Sequence, residues 1–153
     1  MDFIFRPRTV IVAAILLALA SPGARAASEA QEANRKVVLD FYEKGLNQKD
    51  ADAAIALMGD RYVQHNPNAA DGPDGFRKFI GFLKEKFPNS KSEIKRSFVD
   101  GDYVILHVHA VREPGTRGNA IIDVFKLENG KIVEHWDVVQ PIPENPANSN
   151  GMF

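Results

Sequence analysis

The stretch Ala120-Ile121-Ile122-Asp123-Val124-Phe125-Lys126-Leu127-Glu128-Asn129-Gly130-Lys131-Ile132-Val133-Glu134-His135-Trp136-Asp137-Val138-Val139 decides the fold of this 153-residue chain. Two apolar, β-branched runs flank Asn129-Gly130, and that dipeptide tolerates the positive φ values of a two-residue hairpin turn. A loop of that length sets Leu127 opposite Ile132, Phe125 opposite Glu134, Asp123 opposite Trp136 and Ile121 opposite Val138. Side chains alternate along a strand, so Ile121, Asp123, Phe125, Glu134, Trp136 and Val138 are expected on one sheet face. Ile122, Val124, Val133 and His135 then fall on the other.

Upstream, Asp100-Gly101 predicts a second hairpin with Phe98 opposite Tyr103, Arg96 opposite Ile105 and Ile94 opposite His107. The Pro114-Gly115 connection is longer and leaves the middle register open. Earlier still the apolar period becomes helical. Ser28 and Gln31 form a capping box ahead of Val37, Val38, Phe41, Tyr42 and Leu46, which predicts a helix to about Asn47. Asp50 caps a short second helix carrying Ala54, Ile55, Leu57 and Met58. The segment from Asp60 to Pro73 reads as a loop, and Phe76, Phe79, Ile80, Leu83 and Phe87 make a third helix that Pro88 stops. Helices followed by a meander make the class α+β. One domain over residues 27–141 is expected, with no internal repeat.

Residues 1–26 read as a signal peptide: Arg6 and Arg8, an apolar run from Val10 to Ala20, then Ala24-Arg25-Ala26 as an A-x-A cleavage site. The run is shorter than the ~20 residues that span a bilayer. A protein exported to the periplasm or medium is expected, without stable membrane insertion after cleavage behind Ala26; an uncleaved anchor is the alternative. Residues 142–153 form a tail whose Pro141, Pro143 and Pro146 cannot continue a ladder. It is expected to leave the sheet at Gln140 and to dock Ile142 and Phe153 on apolar surface near the mouth of a pocket, or else to be a passive extension.

Composition excludes several functions. With 19 Lys and Arg against 20 Asp and Glu the net charge is −1, so no basic field exists to hold nucleic acid. The absence of Cys removes thiol nucleophiles, Cys-ligated zinc and iron–sulfur clusters. Asp71-Gly72-Pro73-Asp74-Gly75 puts acidic groups where a phosphate loop would need amides. No Ser stands in a nucleophile-elbow context.

Asp123 is the most informative position, a carboxyl among Ile121, Phe125, Trp136 and Val138. Burial penalises its charged form, so it is expected either to stay protonated as a general acid and hydrogen-bond donor or to be paired with a basic or hydroxyl group. Tyr42, on the apolar face of the first helix, is either a second catalytic group or core material with a tied hydroxyl. Gln64-His65-Asn66-Pro67 places an imidazole between two amides; His65 titrates near neutrality and is the leading candidate base, unless the cluster is turn chemistry alone. His107 and His109 alternate on one face. Metal ligands would need partners such as His65 or Glu134; the other readings are hydrogen-bonded core or the lining of an organic-ligand cavity. No metal or cofactor is assigned. His135, opposite Val124, is read as structural.

Three helices, a loop ending Gln64-His65-Asn66-Pro67, and a meander with Ile122-Asp123-Val124-Phe125 and Asn129-Gly130-Lys131-Ile132-Val133-Glu134-His135-Trp136 together resemble the nuclear transport factor 2-like superfamily. Within it the chain is similar to the SnoaL-like polyketide-cyclase group. The resemblance implies a cone in which a strongly curved antiparallel sheet wraps helices around an apolar pocket. Ketosteroid isomerases share that cone and pair a Tyr with a protonated Asp as an oxyanion hole; Tyr42 and Asp123 fall at those places. Their base, an Asp before Pro, is here Asn66. The SnoaL-like cyclases close rings by cofactor-free aldol chemistry with an acid/base Asp, matched by Asp123, and His109 is a plausible counterpart of a pocket His. The resemblance thus implies chemistry on a small apolar or carbonyl-containing molecule. Asp123, Tyr42, His65 and His109 would be catalytic, with Gln64, Asn66, His107, Phe125 and Trp136 binding; the alternative is binding without turnover. An uncovered face with Ile122, Val124, Val133 and Val139 is expected to join a homodimer.

Overall fold

A computed structural model describes residues 28–153; the expected signal peptide and cleavage site lie outside the described residues. The order of elements is α1 (Glu29–Tyr42), a π-helical turn (Glu43–Asn47), α2 (Ala51–Ile55), β1 (Met58–Gln64), α3 (Gly72–Lys86), β2 (Lys91–Asp100), β3 (Tyr103–Val111), β4 (Asn119–Glu128) and β5 (Lys131–Pro141). The strands form one curved, open sheet in the order β1-β5-β4-β3-β2. Every pair is antiparallel except β1 with β5. The α+β class and the cone-like, cystatin-type wrapping are therefore observed.

Local chemistry explains the helices. Ser28 and Gln31 close a reciprocal capping box at α1, and the Asp50 carboxylate accepts from the Ala53 N–H at α2. Val38, Phe41 and Tyr42 recur at helical spacing and bury their side chains. Phe41 packs against Phe76 of α3 and edge-on to Phe125 of β4, at centroid distances of 5.0 and 5.7 Å. Burial of each such ring contributes on the order of 2–3 kcal/mol before ordering entropy.

The sheet departs from the expected pairing in three places. Residues 58–64, read mainly as loop, form the edge strand β1. At the β2–β3 hairpin Asp100 pairs with Tyr103, which sets Phe98 opposite Ile105 and Arg96 opposite His107. The turn is Gly101-Asp102, with Gly101 at φ +55°, so the pairing slides by two residues and the faces are unchanged as far as Arg96; beyond a register irregularity there, Ile94 pairs with the buried Val108 and not with His107 as expected.

The third departure matters most. Leu127 pairs with Ile132 as expected, but Lys126 then pairs with Glu134, so Val133 is an extra residue in β5. This β-bulge lets successive apolar residues both leave water: Ile132 is 0% exposed and Val133 3%. Beyond it the parity of β5 is reversed. Asp123 faces Asp137, Phe125 faces His135, and Trp136 moves to the outer face opposite Val124.

The outer face consequently differs from the expected patch. Val133 is buried and Val139 turns to the inner side, whereas Phe98, Tyr103, Ile122 and Val138 are exposed there. The tail passes the Gly118 carbonyl, which accepts from the Ile142 N–H, and brings Phe153 onto His107 and His109 at 5.1 and 4.9 Å. It lies against the outside of β3, so the expected position at the pocket mouth is corrected.

Gly59 makes room for the bulge, because a Cβ there would stand 2.9 Å from Val133 Cγ1. Gly59→Val is expected to cost about 1–3 kcal/mol by overpacking, lowering the melting temperature by roughly 4 °C per kcal/mol. An unchanged calorimetric midpoint would show that the bulge has slack.

Candidate functional site

The concave side of the sheet and helices α1 and α3 enclose a cavity of about 770 Å³. Its walls are apolar, with Phe41, Phe76, Phe79 and Ile121 among them, and its polar groups are Tyr42, Tyr62, Gln64, Asn66, Asp123, His135 and Asp137. Lys78, Lys91 and Arg112 stand around it as well.

Asp123 is 4% exposed. Its Oδ2 accepts from the Tyr42 hydroxyl at 3.1 Å and its Oδ1 lies 3.0 Å from His135 Nε2. The other imidazole nitrogen, Nδ1, is 2.9 Å from Gln64 Oε1. That oxygen also accepts from the Asn66 backbone N–H at 3.0 Å, which fixes which end of the amide is oxygen, since a backbone N–H only donates. Nδ1 must therefore carry a proton. The tautomer so assigned leaves Nε2 facing the Asp123 carboxyl with one proton between them.

Where that proton rests follows from burial. Desolvation pushes the Asp123 carboxyl above the ordinary carboxylate range, opposed by its hydrogen bonds to His135 and Tyr42 and reinforced by the nearby Asp137. The same burial, with Asp123 alongside, raises the Tyr42 hydroxyl well above its usual value, so Tyr42 remains a donor. Tyr62 is raised by burial too. Asp123, His135 and Asp137 each offer an atom within 4.8 Å of the other two. Such a trio is compact enough to share either a cation or a proton.

Of the residues expected at a site, Asp123, Tyr42, Gln64, Asn66 and Phe125 line the cavity. The others do not. His65 alternates outward from Gln64, stacks on Trp136 at 4.3 Å and pairs with Glu134 Oε2 at 3.3 Å. Trp136 is carried outward by the bulge. His107 and His109 point out of the convex face because Leu106 and Val108 take the inward positions of β3. There His107 Nδ1 meets Arg96 at 3.0 Å and His109 Nε2 meets the Arg117 carbonyl at 2.8 Å.

His135, expected on the face away from Asp123, instead faces the cavity and bonds Asp123, and Asp137 and Tyr62, not singled out from the sequence, also line it. A signal for them existed in the adjacent apolar pair Ile132-Val133, which breaks strict alternation just after the turn.

The SnoaL-like domain family matches residues 38–135. Among curated proteins no match is found. Solved structures share the fold at low identity. A candidate SnoaL-like polyketide cyclase from Jannaschia sp. CCS1 is 20% identical with a TM-score of 0.63, over 76% of this chain and 91% of that one. TsrD from Streptomyces laurentii is 18% identical with a TM-score of 0.60, over 74% and 91%. An uncharacterized cystatin-fold protein from Novosphingobium aromaticivorans is 21% identical with a TM-score of 0.60, over 69% and 97%. The match spans most of the chain, from the buried Val38 of α1 to His135 of β5, and on it the protein belongs to the SnoaL-like domain family.

Proposed function

We propose that the cavity takes a small, largely apolar carbonyl compound and that Asp123 acts on its oxygen as acid and hydrogen-bond donor beside Tyr42. The reaction class is cofactor-free aldol closure or isomerisation. The observation that carries the reading is the buried hydrogen-bonded Asp123–His135 pair, completed by a Tyr hydroxyl, at the wall of a largely apolar cavity. A carbonyl oxygen entering beside them would draw the Tyr42 hydroxyl away from Asp123 Oδ2 and the Asp123 proton away from His135 Nε2, so the charge it gains as a C–H bond breaks would meet two donors shielded from water. The expected proton carriers His65 and His109 have no part in this reading, because neither borders the cavity. Export by the N-terminal segment belongs to the same proposal, as does a homodimer joined through the outer face of the sheet, where Phe98, Tyr103, Ile122 and Val138 are exposed.

Proton exchange of 2-tetralone in D2O, followed by NMR, tests the chemistry. Asp123→Asn keeps the shape, since its amide can donate to His135 Nε2 and accept from Tyr42. It should slow exchange about 100-fold or more while the protein stays folded. Tyr42→Phe should slow it less than additively with Asp123→Asn, because both groups serve one oxygen. Full exchange in Asp123→Asn would favour binding without turnover.

Linkage gives an independent check. A carboxyl whose folded pKa is raised holds its proton more tightly in the native state, so it costs stability as pH rises from about 4. Asp123→Asn, which is always neutral, should therefore gain stability relative to wild type as pH increases from 4 to 8 in urea titrations. A constant difference would contradict a raised Asp123.

For assembly, light scattering should report twice the chain mass for the wild type and one chain mass for Val138→Lys, which places a charge on the exposed face. Identical masses for the two would reject this interface.

A further inference from the structure

We propose that Asp137 is the general base of this site, removing the proton on the carbon next to the carbonyl while Asp123 serves the oxygen. The inference rests on the reading of Asp123 as the acid.

Asp137 stands directly opposite Asp123 on the neighbouring strand, and both carboxyls border the cavity. The Asn66 amide nitrogen donates to both Asp137 oxygens, at 2.8 and 2.7 Å. Asn66 cannot turn that amide away freely, because its Oδ1 accepts from the Asn68 N–H at 2.8 Å. Among the described residues Asp137 has no Lys, Arg or His within salt-bridge distance, so its charge is met by a neutral donor and remains available. The two carboxyls and His135 each place an atom within 4.8 Å of the others. Like charges so close do not both form readily. Asp123 is the more buried and has His135 Nε2 to receive its O–H, so the proton belongs to that pair and the charge to Asp137.

Elimination leads to the same residue. His65, His107 and His109 lie outside the cavity, and His135 Nε2 is committed to Asp123. Tyr42 and Tyr62 are held protonated by burial. Asp137 is the cavity group left with both negative charge and room to accept.

The step balances without a co-reactant. The C–H proton passes to an Asp137 oxygen, the C–H electron pair becomes the C=C bond of an enolate, and the carbonyl π pair moves onto oxygen. That oxygen takes the Asp123 proton, or a hydrogen bond from it, as Asp123 gives up its bond to His135 Nε2. For isomerisation, which needs a second C=C bond next to the enolised carbon so that a dienolate forms, Asp137 returns its proton at the far carbon of the dienolate and Asp123 recovers its own. For ring closure, the enolate carbon bonds to a second carbonyl carbon of the same molecule. The new alkoxide takes the proton from Asp137, while the first carbonyl re-forms and restores Asp123. The ligand class is thus an enolisable ketone or β-dicarbonyl compound.

The test uses the intact protein and 2-tetralone as probe in D2O. Asp137→Asn should slow exchange about 100-fold or more with the calorimetric affinity for 2-tetralone and the melting temperature retained. Asp137→Glu should restore part of the rate. If Asp137→Asn does not fold, Asn66→Ala replaces it: removing the donor that holds both Asp137 oxygens should slow exchange about 10-fold with the affinity for 2-tetralone retained, and an unchanged rate overturns the proposal. Wild-type exchange in Asp137→Asn together with slow exchange in Asp123→Asn would overturn the assignment of Asp137 and leave Asp123 as the acid. No exchange above buffer in the wild type would overturn both.

Discussion

One extra residue in a strand sets the chemistry of this protein. Without the bulge at Val133, the Asn129-Gly130 turn would direct Trp136 and Val138 into the cavity and turn His135 and Asp137 to the outside. With it, the polar residues of β5 face Asp123, and an apolar stretch of the sheet becomes a polar cluster. The driving force is modest and local: Val133 exchanges water for the space above Gly59. Since strand periodicity is two, that small gain relocates every side chain that follows.

The polar cluster is tolerable in a buried place because its members satisfy one another. Tyr42 donates to Asp123, Asp123 shares a proton with His135, His135 donates to Gln64, and Gln64 accepts from the Asn66 backbone. Among the described residues, the buried side-chain atom left without a partner is Arg35 Nε, which is not a member of this group. A chain of hydrogen bonds in a poorly polarisable setting is strong when complete, and it is costly when one link is removed, by about 1–3 kcal/mol for each stranded group. Position and protonation are therefore determined together. Gln64 orders the imidazole, the imidazole orders the carboxyl, and the backbone turn at Asn66 orders Gln64.

Much of this was legible in the residues themselves. Ser28 with Gln31 and Asp50 announce helix starts by short-range chemistry, and their caps form as read. Asp123 stood out because a carboxyl among Ile121 and Phe125 has little access to water, and Tyr42 followed from helical periodicity. Failures came where the outcome depends on distant partners. The bulge carries no Gly at Val133 to signal it, and its reward lies in contact with β1, seventy residues earlier. His65, His107 and His109 attract notice as imidazoles, yet their direction is set by strand parity, which the sequence determines only once register is known. β1 was obscured because Gly59, Asp60 and Arg61 break apolar alternation, and because its pairing with β5 is parallel and nonlocal.

β1 is also an edge strand whose ladder with β5 is interrupted between Met58 and Val63. Edge elements with few ladder bonds detach in partial openings that cost less than complete unfolding. Detachment of β1 carries Gln64 away from His135, and the imidazole then loses the acceptor that assigned its tautomer. The site is in this sense wired to the weakest seam of the sheet. Local opening at that seam would release the proton arrangement without requiring the helices and the central strands to come apart.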